Sequence, residues 1–290
     1  MTPTFSPRTL LFGLLGHPVG HSLSPSMHNA AFAALGIDAV YLAFDVEPGQ
    51  LAEALAGSWA LGVAGWNVTV PLKEAVLALA AEVDPQAELV GAANTLVRIQ
   101  AGWQAHNTDV AGFARALAED LGFRPPGRRC WIWGAGGAAR AAVVALASGG
   151  AQEILVTNRN ATRARRLVRE LGPRLIPARV AAVDLAAFAP RPGDLVVGAT
   201  PAGLSDDASW PWDLGSCRDL FVYDMAYRRG AETPLVDQAR ALGHRAASGR
   251  SMLLHQGAEA FRLWTGRSPP VDAMARAMGP LAHPPGGTAR

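Results

Sequence analysis

Lys73 stands two residues after Pro71 in GWNVTVPLKEA, a short run from Gly65 to Ala75 whose only uncharged polar side chains are Asn67 and Thr69. Asp109 occupies an equivalent place in HNTDV, just past another apolar run. A lysine and a carboxylate so placed can do acid–base chemistry: the ammonium supplies a proton to a reacting oxygen, and the carboxylate orients it. Singly, each has a plainer role, because a lysine after a turn mostly points into water and Asp109 can N-cap the helix that VAGFARAL begins. Asn67, Thr69, Asn94 and Asn107 hold similar post-strand positions. Several neutral hydrogen-bonding groups converging on one cleft suit a small polyhydroxylated ligand.

The segment GHPVGHSLSPSMHN adds Ser22 and Ser24 after the first strand. Paired hydroxyls there cap a helix starting near Ser26 or hold a ligand carboxylate, and spacing leaves both open. His17, His21 and His28 lack a nearby acidic partner set, so no metal site is expected and a surface or capping role is. GHSLS is not G-x-S-x-G, which removes the hydrolase nucleophile elbow.

In WIWGAGGAAR, Gly134, Gly136 and Ala139 fit G-x-G-x-x-G/A between a strand and a helix. Such a turn lets the backbone approach a pyrophosphate, whose charge the helix N-terminus meets. The next strand ends in VTNRNATRAR, with Arg159 and Arg163 and no acidic residue. A carboxylate there would accept from the ribose 2′-hydroxyl of NAD, whereas arginines complement a 2′-phosphate, so NADP is the expected cofactor. Arg165, Arg166 and Arg169 read as a solvated helix face. A nicotinamide needs a partner that exchanges a proton while hydride moves, and Lys73 with Asp109 is the pair that fits.

The elements that must position these groups follow from patterning. LLFGLLG, VYLAFDV and LGVAGWNVTV alternate with helix-compatible SPSMHNAAFAALG and QLAEALAG, which is βαβ punctuation and predicts a mostly parallel sheet with helices on both faces. ANTLVRIQAGWQAHNTD reads as two strands turning at Ala101-Gly102, and the next helix ends at Gly122. A second unit begins at RRCWIWGAGG, continues through strands in DLVVGAT, LFVYDMAY and HRAAS, and is followed by helices in SMLLHQGAEAFRLWTG and PPVDAMARAM. LAHPPGGTAR has the composition of a frayed tail.

A chain of 290 residues favours two α/β domains. Half of it is hydrophobic and 17% charged, as in a compact enzyme. A net charge of +2, from 26 basic and 24 acidic residues, gives no general reason to bind nucleic acid or a membrane surface. Cys130 and Cys217 lack C-x-x-C spacing, so a reducing cytoplasm is expected. The apolar N-terminal run is too short to span a membrane, and no signal-peptide cleavage site follows it.

Taken in order, GHPVGHSLSPSMHN, NVTVPLKEA, GAANTLV, NTD, GAGGAAR, NRNATRA, YDMAY and GAEAFRLWTG resemble the hallmark segments of shikimate dehydrogenases over nearly the whole chain. The resemblance implies reversible NADPH-dependent reduction of 3-dehydroshikimate to shikimate, on the route to chorismate and the aromatic amino acids. It implies Lys73 as the catalytic lysine with Asp109, and substrate contacts from Ser22, Ser24, Asn67, Thr69, Asn94, Asp109, Tyr227 and Gln256. It places the pyrophosphate on Gly134, Ala135, Gly136, Gly137 and Ala138, the adenosine phosphate on Asn158, Arg159, Asn160 and Arg163, and the nicotinamide between Met225 and Gly249. It also implies a discontinuous substrate domain, 1–110 plus 249–290, around an inserted Rossmann-type NADP domain, 111–248. Departures from the family pattern are Val110 after N-T-D, Arg250 and Ser251 where G-L-G-M is common, and Asn160 where Thr is frequent. Ser251 bears on nicotinamide packing, and Asn160 on phosphate selectivity. The rival readings are a quinate/shikimate dehydrogenase, a folate-linked dehydrogenase, which the serine loop opposes, and a silent NADP sensor, which the presence of Lys73 and Asp109 opposes. Monomer and homodimer are both compatible with the sequence.

Overall fold

The structure, a computed structural model, describes residues 5–280. The tail LAHPPGGTAR, 281–290, lies outside the described residues.

The first half runs β1 (Leu10–Gly16), α1 (Ser24–Ala34), β2 (Ala39–Asp45), α2 (Leu51–Ala60), β3 (Gly65–Val68), β4 (Glu82–Val83), α3 (Pro85–Val90), β5 (Thr95–Ile99), β6 (Gly102–His106) and α4 (Asp109–Leu121). The second half runs β7 (Arg129–Trp133), α5 (Gly137–Ser148), β8 (Glu153–Thr157), α6 (Ala161–Leu171), β9 (Arg179–Ala182), β10 (Leu195–Gly198), β11 (Phe221–Asp224), α7 (Pro234–Ala241), β12 (Arg245–Ser248), α8 (Arg250–Thr265) and α9 (Val271–Ala277).

The strands form two six-stranded sheets, β2-β1-β3-β5-β6-β4 and β12-β11-β10-β7-β8-β9. The second is wholly parallel, and its order reverses at β7, between β8 and β10. That reversal opens a crevice beyond the strand ends, where doubly wound sheets bind their ligands. The first sheet is mixed: β1 runs parallel to β2 and β3, while β5 is antiparallel to both β3 and β6. The period of two is visible in β7, where Cys130 and Ile132 pack under α4 and α5 while Trp131 and Trp133 face a cluster with Trp210, Trp212 and α7.

α8 leaves the second sheet and buries Leu253 and Phe261 beside α1 on the first. Its other side crosses α4 so closely that a Cβ on Gly112 would stand 2.9 Å from the Gln256 Cβ. α4 and α8 thus join the two sheets at the back of the cleft. No helix of the described residues is long and apolar enough to cross a membrane.

Candidate active site

The carboxyl ends of β1, β3, β6, β10 and β11, the amino end of the antiparallel β5 and the starts of α4, α5 and α8 face a cleft of about 380 Å³. Ser22 and Ser24 border it from the β1–α1 loop, with Asn67, Thr69 and Lys73 from the segment after and within β3. Asn94 and Asp109 enter at the ends of the hairpin, and Tyr227 and Gln256 close it from the β11 loop and α8. Met225, Gly249 and Ala138 form the wall nearest the second sheet.

Lys73 sits in the turn after β3, where its carbonyl accepts from the Ala93 N–H at 2.8 Å. Its Nζ donates to Asp109 Oδ2 at 2.7 Å, with the side chains only 13% and 4% exposed. Asn94 is the hub of the surrounding network. Its Nδ2 is shared among Thr108 Oγ1 at 2.9 Å, Asp109 Oδ1 at 3.0 Å and Gln256 Oε1 at 3.0 Å. Its Oδ1 accepts from the Thr108 N–H at 2.7 Å. Asn67 Nδ2 donates to the Asn94 carbonyl and to Thr95 Oγ1, both at 3.1 Å. A buried, closely satisfied network of this kind holds its members in one geometry. Burial, above all, raises the pKa of the Tyr227 phenol, which keeps it a donor beside Ser22.

Several sequence expectations change here. Asp109 is not the N-cap of α4; Thr108 occupies that position without a side-chain bond, and Asn107 Oδ1 accepts from the Asp109 and Val110 N–H groups instead. The free Asp109 carboxylate is thereby available to Lys73. Asn107 is spent on that capping and on the Ala92 carbonyl, and does not line the cleft. α1 starts at Ser24 rather than near Ser26, and Ser22 Oγ accepts from the Ser24 N–H at 3.1 Å while both serines still border the cleft. His28 is neither a surface nor a capping residue: it is fully buried and stacks on Tyr41. Ser251 turns away from the cleft, its hydroxyl donating to Asp120 Oδ1 at 2.8 Å. Val110 is a buried core residue of α4 itself. Ala199, Thr200, Pro201 and Leu204, beyond β10, also line the cleft. Only the strand order could have indicated them, since their types carry no chemical signal.

The glycine turn joins β7 to α5. Gly134 has φ +135° and lies so close to β10 that a Cβ would stand 2.4 Å from the Ala199 carbonyl oxygen, so only glycine fits. Nothing lies within 4 Å of a Cβ on Gly136 except Arg163 Nη2 at 4.0 Å. An open backbone turn, the start of a twelve-residue helix and a guanidinium above them suit a dinucleotide phosphate. Asn158, Arg159 and Asn160 follow β8, and Arg159 is exposed. The Asn160 side chain caps α6 by accepting from the Thr162 N–H at 3.0 Å, so its oxygen is already engaged. These residues and Arg163 lie outside the 380 Å³ cleft, Arg163 facing a second depression between the sheets beside Glu74. Arg166 is not merely solvated: its Nη2 stands 2.7 Å from Glu74 Oε2, across the two domains, and Arg163 stands 3.7 Å from Oε1 of the same carboxylate.

A doubly wound sheet offering a glycine turn and arginines, facing a second sheet that offers a buried lysine–aspartate pair, defines a two-domain nicotinamide-dinucleotide oxidoreductase. Sequence profiles place it further. The shikimate dehydrogenase substrate binding domain matches residues 14–96, the shikimate / quinate 5-dehydrogenase profile residues 117–202, and the shikimate 5'-dehydrogenase C-terminal domain residues 249–278. Shikimate dehydrogenase (NADP(+)) of Moorella thermoacetica is 47% identical, over 93% of this chain and 92% of that protein. The enzyme of the same name from Methanopyrus kandleri is 45% identical, over 93% and 95%. The crystal structure of Thermus thermophilus shikimate 5-dehydrogenase in complex with NADP(H) and shikimate has a TM-score of 0.81 at 38% identity, covering 93% of this chain and 98% of that one. The chain belongs to the shikimate dehydrogenase family.

Proposed function

We propose that this protein catalyses the reversible NADPH-dependent reduction of 3-dehydroshikimate to shikimate, a step toward chorismate and the aromatic amino acids. The observation that carries the reading is the Lys73–Asp109 pair, buried and 2.7 Å apart at the foot of a cleft between the two domains. When bound, NADPH supplies the hydride. Lys73 polarises the carbonyl and gives its oxygen a proton as charge develops there. Asp109 holds the ammonium in place and accepts from a substrate hydroxyl. Asn94 aligns Asp109 and Gln256, and with Asn67, Thr69 and Tyr227 it presents donors and acceptors to the other hydroxyls. Ser22 and Ser24 take the carboxylate at the far end. Such positioning turns a bimolecular encounter into a favourable unimolecular step.

Gly134 to Ala138 would hold the pyrophosphate, Asn158, Arg159 and Arg163 the adenosine phosphate, with Asn160 contributing its amide N–H2, and Met225 and Gly249 would flank the nicotinamide. The Gly249 N–H donates to the Ala226 carbonyl at 2.9 Å, which keeps the Met225–Tyr227 loop against the start of α8. The reading divides the chain into a substrate domain, 1–110 with 249–290, and a cofactor domain, 111–248, supported by the distribution of strands between the two sheets. A cytoplasmic setting belongs to the same reading, supported by free Cys130 and Cys217.

The test is nicotinamide absorbance with purified protein, crossing shikimate and quinate against NADP⁺ and NAD⁺. Rapid reduction with shikimate and NADP⁺ alone is expected. Comparable rates with quinate or NAD⁺ would support the broader dehydrogenase, and no turnover despite NADP⁺ binding would support a sensor.

A further inference from the structure

Tyr41 lies on β2 with none of its surface exposed, and it is not itself a wall of the cleft. Its hydroxyl donates to Asn67 Oδ1 at 2.8 Å. The amide nitrogen of Asn67 is engaged on the other side, donating to the Asn94 carbonyl and Thr95 Oγ1 at 3.1 Å each. A side-chain amide has two donor hydrogens and two acceptor lone pairs. Both hydrogens are therefore used within the protein, and Tyr41 occupies one lone pair of the oxygen. What Asn67 retains for a ligand is the second lone pair. Turning the amide over would aim its oxygen at the Asn94 carbonyl, two acceptors facing each other, so the hydrogen-bond pattern specifies one orientation.

The ring of Tyr41 is fixed as well. It stacks on His28, with centroids 4.5 Å apart and planes at 14°, and both rings are entirely buried. Burial drives the His28 pKa down to about 3, opposed by the neighbouring Asn67 side chain, so the ring behind Tyr41 is uncharged. Burial also raises the Tyr41 pKa well above the ordinary phenol value, despite the Ser24 hydroxyl acting in the other direction. The phenol thus remains a donor throughout the working pH range.

We propose that Tyr41 is a positioning residue for substrate: through its hydroxyl it holds Asn67 as an acceptor aimed at a ligand hydroxyl in the cleft. The proposal rests on the reading of Asn67 as a substrate contact. Tyr41→Phe deletes the donor and keeps the ring, its volume and the stack on His28, so the variant is expected to fold. Loss of one neutral hydrogen bond predicts a KM for shikimate raised about 5- to 10-fold, with kcat and the KM for NADP⁺ little changed. Asn67→Ala should raise the same KM at least as much. The double variant should then have the KM of Asn67→Ala alone, because Tyr41 acts only through that amide. Tyr41→p-aminophenylalanine retains a donor and should restore the wild-type KM.

An unchanged KM in Tyr41→Phe beside a raised one in Asn67→Ala overturns the proposal, even if the melting temperature falls. Additive effects in the double variant overturn it too. An unchanged KM in Asn67→Ala overturns the Asn67 reading first and the proposal with it.

Discussion

The stem of Lys73 packs directly on Gly137, the first residue of α5. A Cβ built on Gly137 would stand 2.9 Å from the Lys73 Cβ and 3.2 Å from its Cδ. The turn that carries the proposed acid and the turn that would carry the pyrophosphate therefore touch, with no side chain between them. Helix propensity alone favours alanine over glycine by about 1 kcal/mol. At this position the overlap should reverse the sign. Gly137→Ala is expected to lower kcat/KM by at least about tenfold and to leave the protein no more stable than wild type. A variant with normal kinetics and a higher melting temperature would show that the two turns are not coupled.

Lys73→Ala should reduce turnover by about 10²-fold or more, the scale of a lost positioned acid, with a much smaller change in the KM for shikimate. Asp109→Ala strips an acceptor from both Lys73 and Asn94. It should lower turnover and also cost about 3 kcal/mol of stability, since a buried cation is left without its partner. Denaturant titration beside the kinetics separates the two effects.

The arginines near α6 should divide by function. Arg159→Ala is expected to raise the KM for NADP⁺ and leave the use of NAD⁺ little changed; an equal loss with both cofactors would remove the 2′-phosphate assignment. Arg166 instead pairs with Glu74, with side chains 44% and 30% exposed. Exposed pairs contribute about 0–1 kcal/mol, so Arg166→Ala should move the NADP⁺ KM by less than about threefold.

Two buried groups give opposing pH dependences of stability. Burial raises the Asp224 carboxyl to about 7, against weaker opposition from Thr233 and the Ala226 N–H. Between about 4 and 7 the folded protein holds a proton that the unfolded chain has lost, so this contribution is present at low pH and disappears as pH rises through 7. His28, held down to about 3 by burial, behaves inversely: its contribution is present above 6.5 and is lost as pH falls toward 3. In wild type the two slopes offset each other over much of this range. Asp224→Asn removes one of them, so its stability relative to wild type should fall as pH drops from 7 to 4. Chemical denaturation of both proteins at pH 7.5 and 4.5 measures the difference, and a pH-independent difference would show that Asp224 is ionised in the folded state.

The amino-acid sequence by itself determined the strands and helices that position the cleft, because their apolar periodicity is local and their ends carry their own stop signals. Gly122 and Gly266 end α4 and α8 in the left-handed conformation that the sequence pattern anticipates. The glycine turn was legible for the same reason: a fixed spacing between a strand and a helix is a local property. β4 and α3, two and six residues long, are too short for periodicity to register, and β9, at the sheet edge with none of its four residues fully buried, lacks the apolar run that marks the inner strands.

Tertiary structure alone decided which polar residue does what. Asn107 and Asp109 are both good cap residues two positions apart; Asn107 accepts from the first N–H groups of α4, and the β3 turn, 36 residues away, brings Lys73 to the Asp109 carboxylate. Arg166 looks like any exposed helical arginine until the other domain brings Glu74 to it. His28 and Tyr41 give no sign of being paired, because α1 and β2 bring them face to face only once β2 joins the sheet edge. Local patterns specify conformation, since each residue's backbone preference depends on its near neighbours. Pairing between distant polar groups depends on which chains share a buried cleft, and that is settled only when the two sheets close on each other.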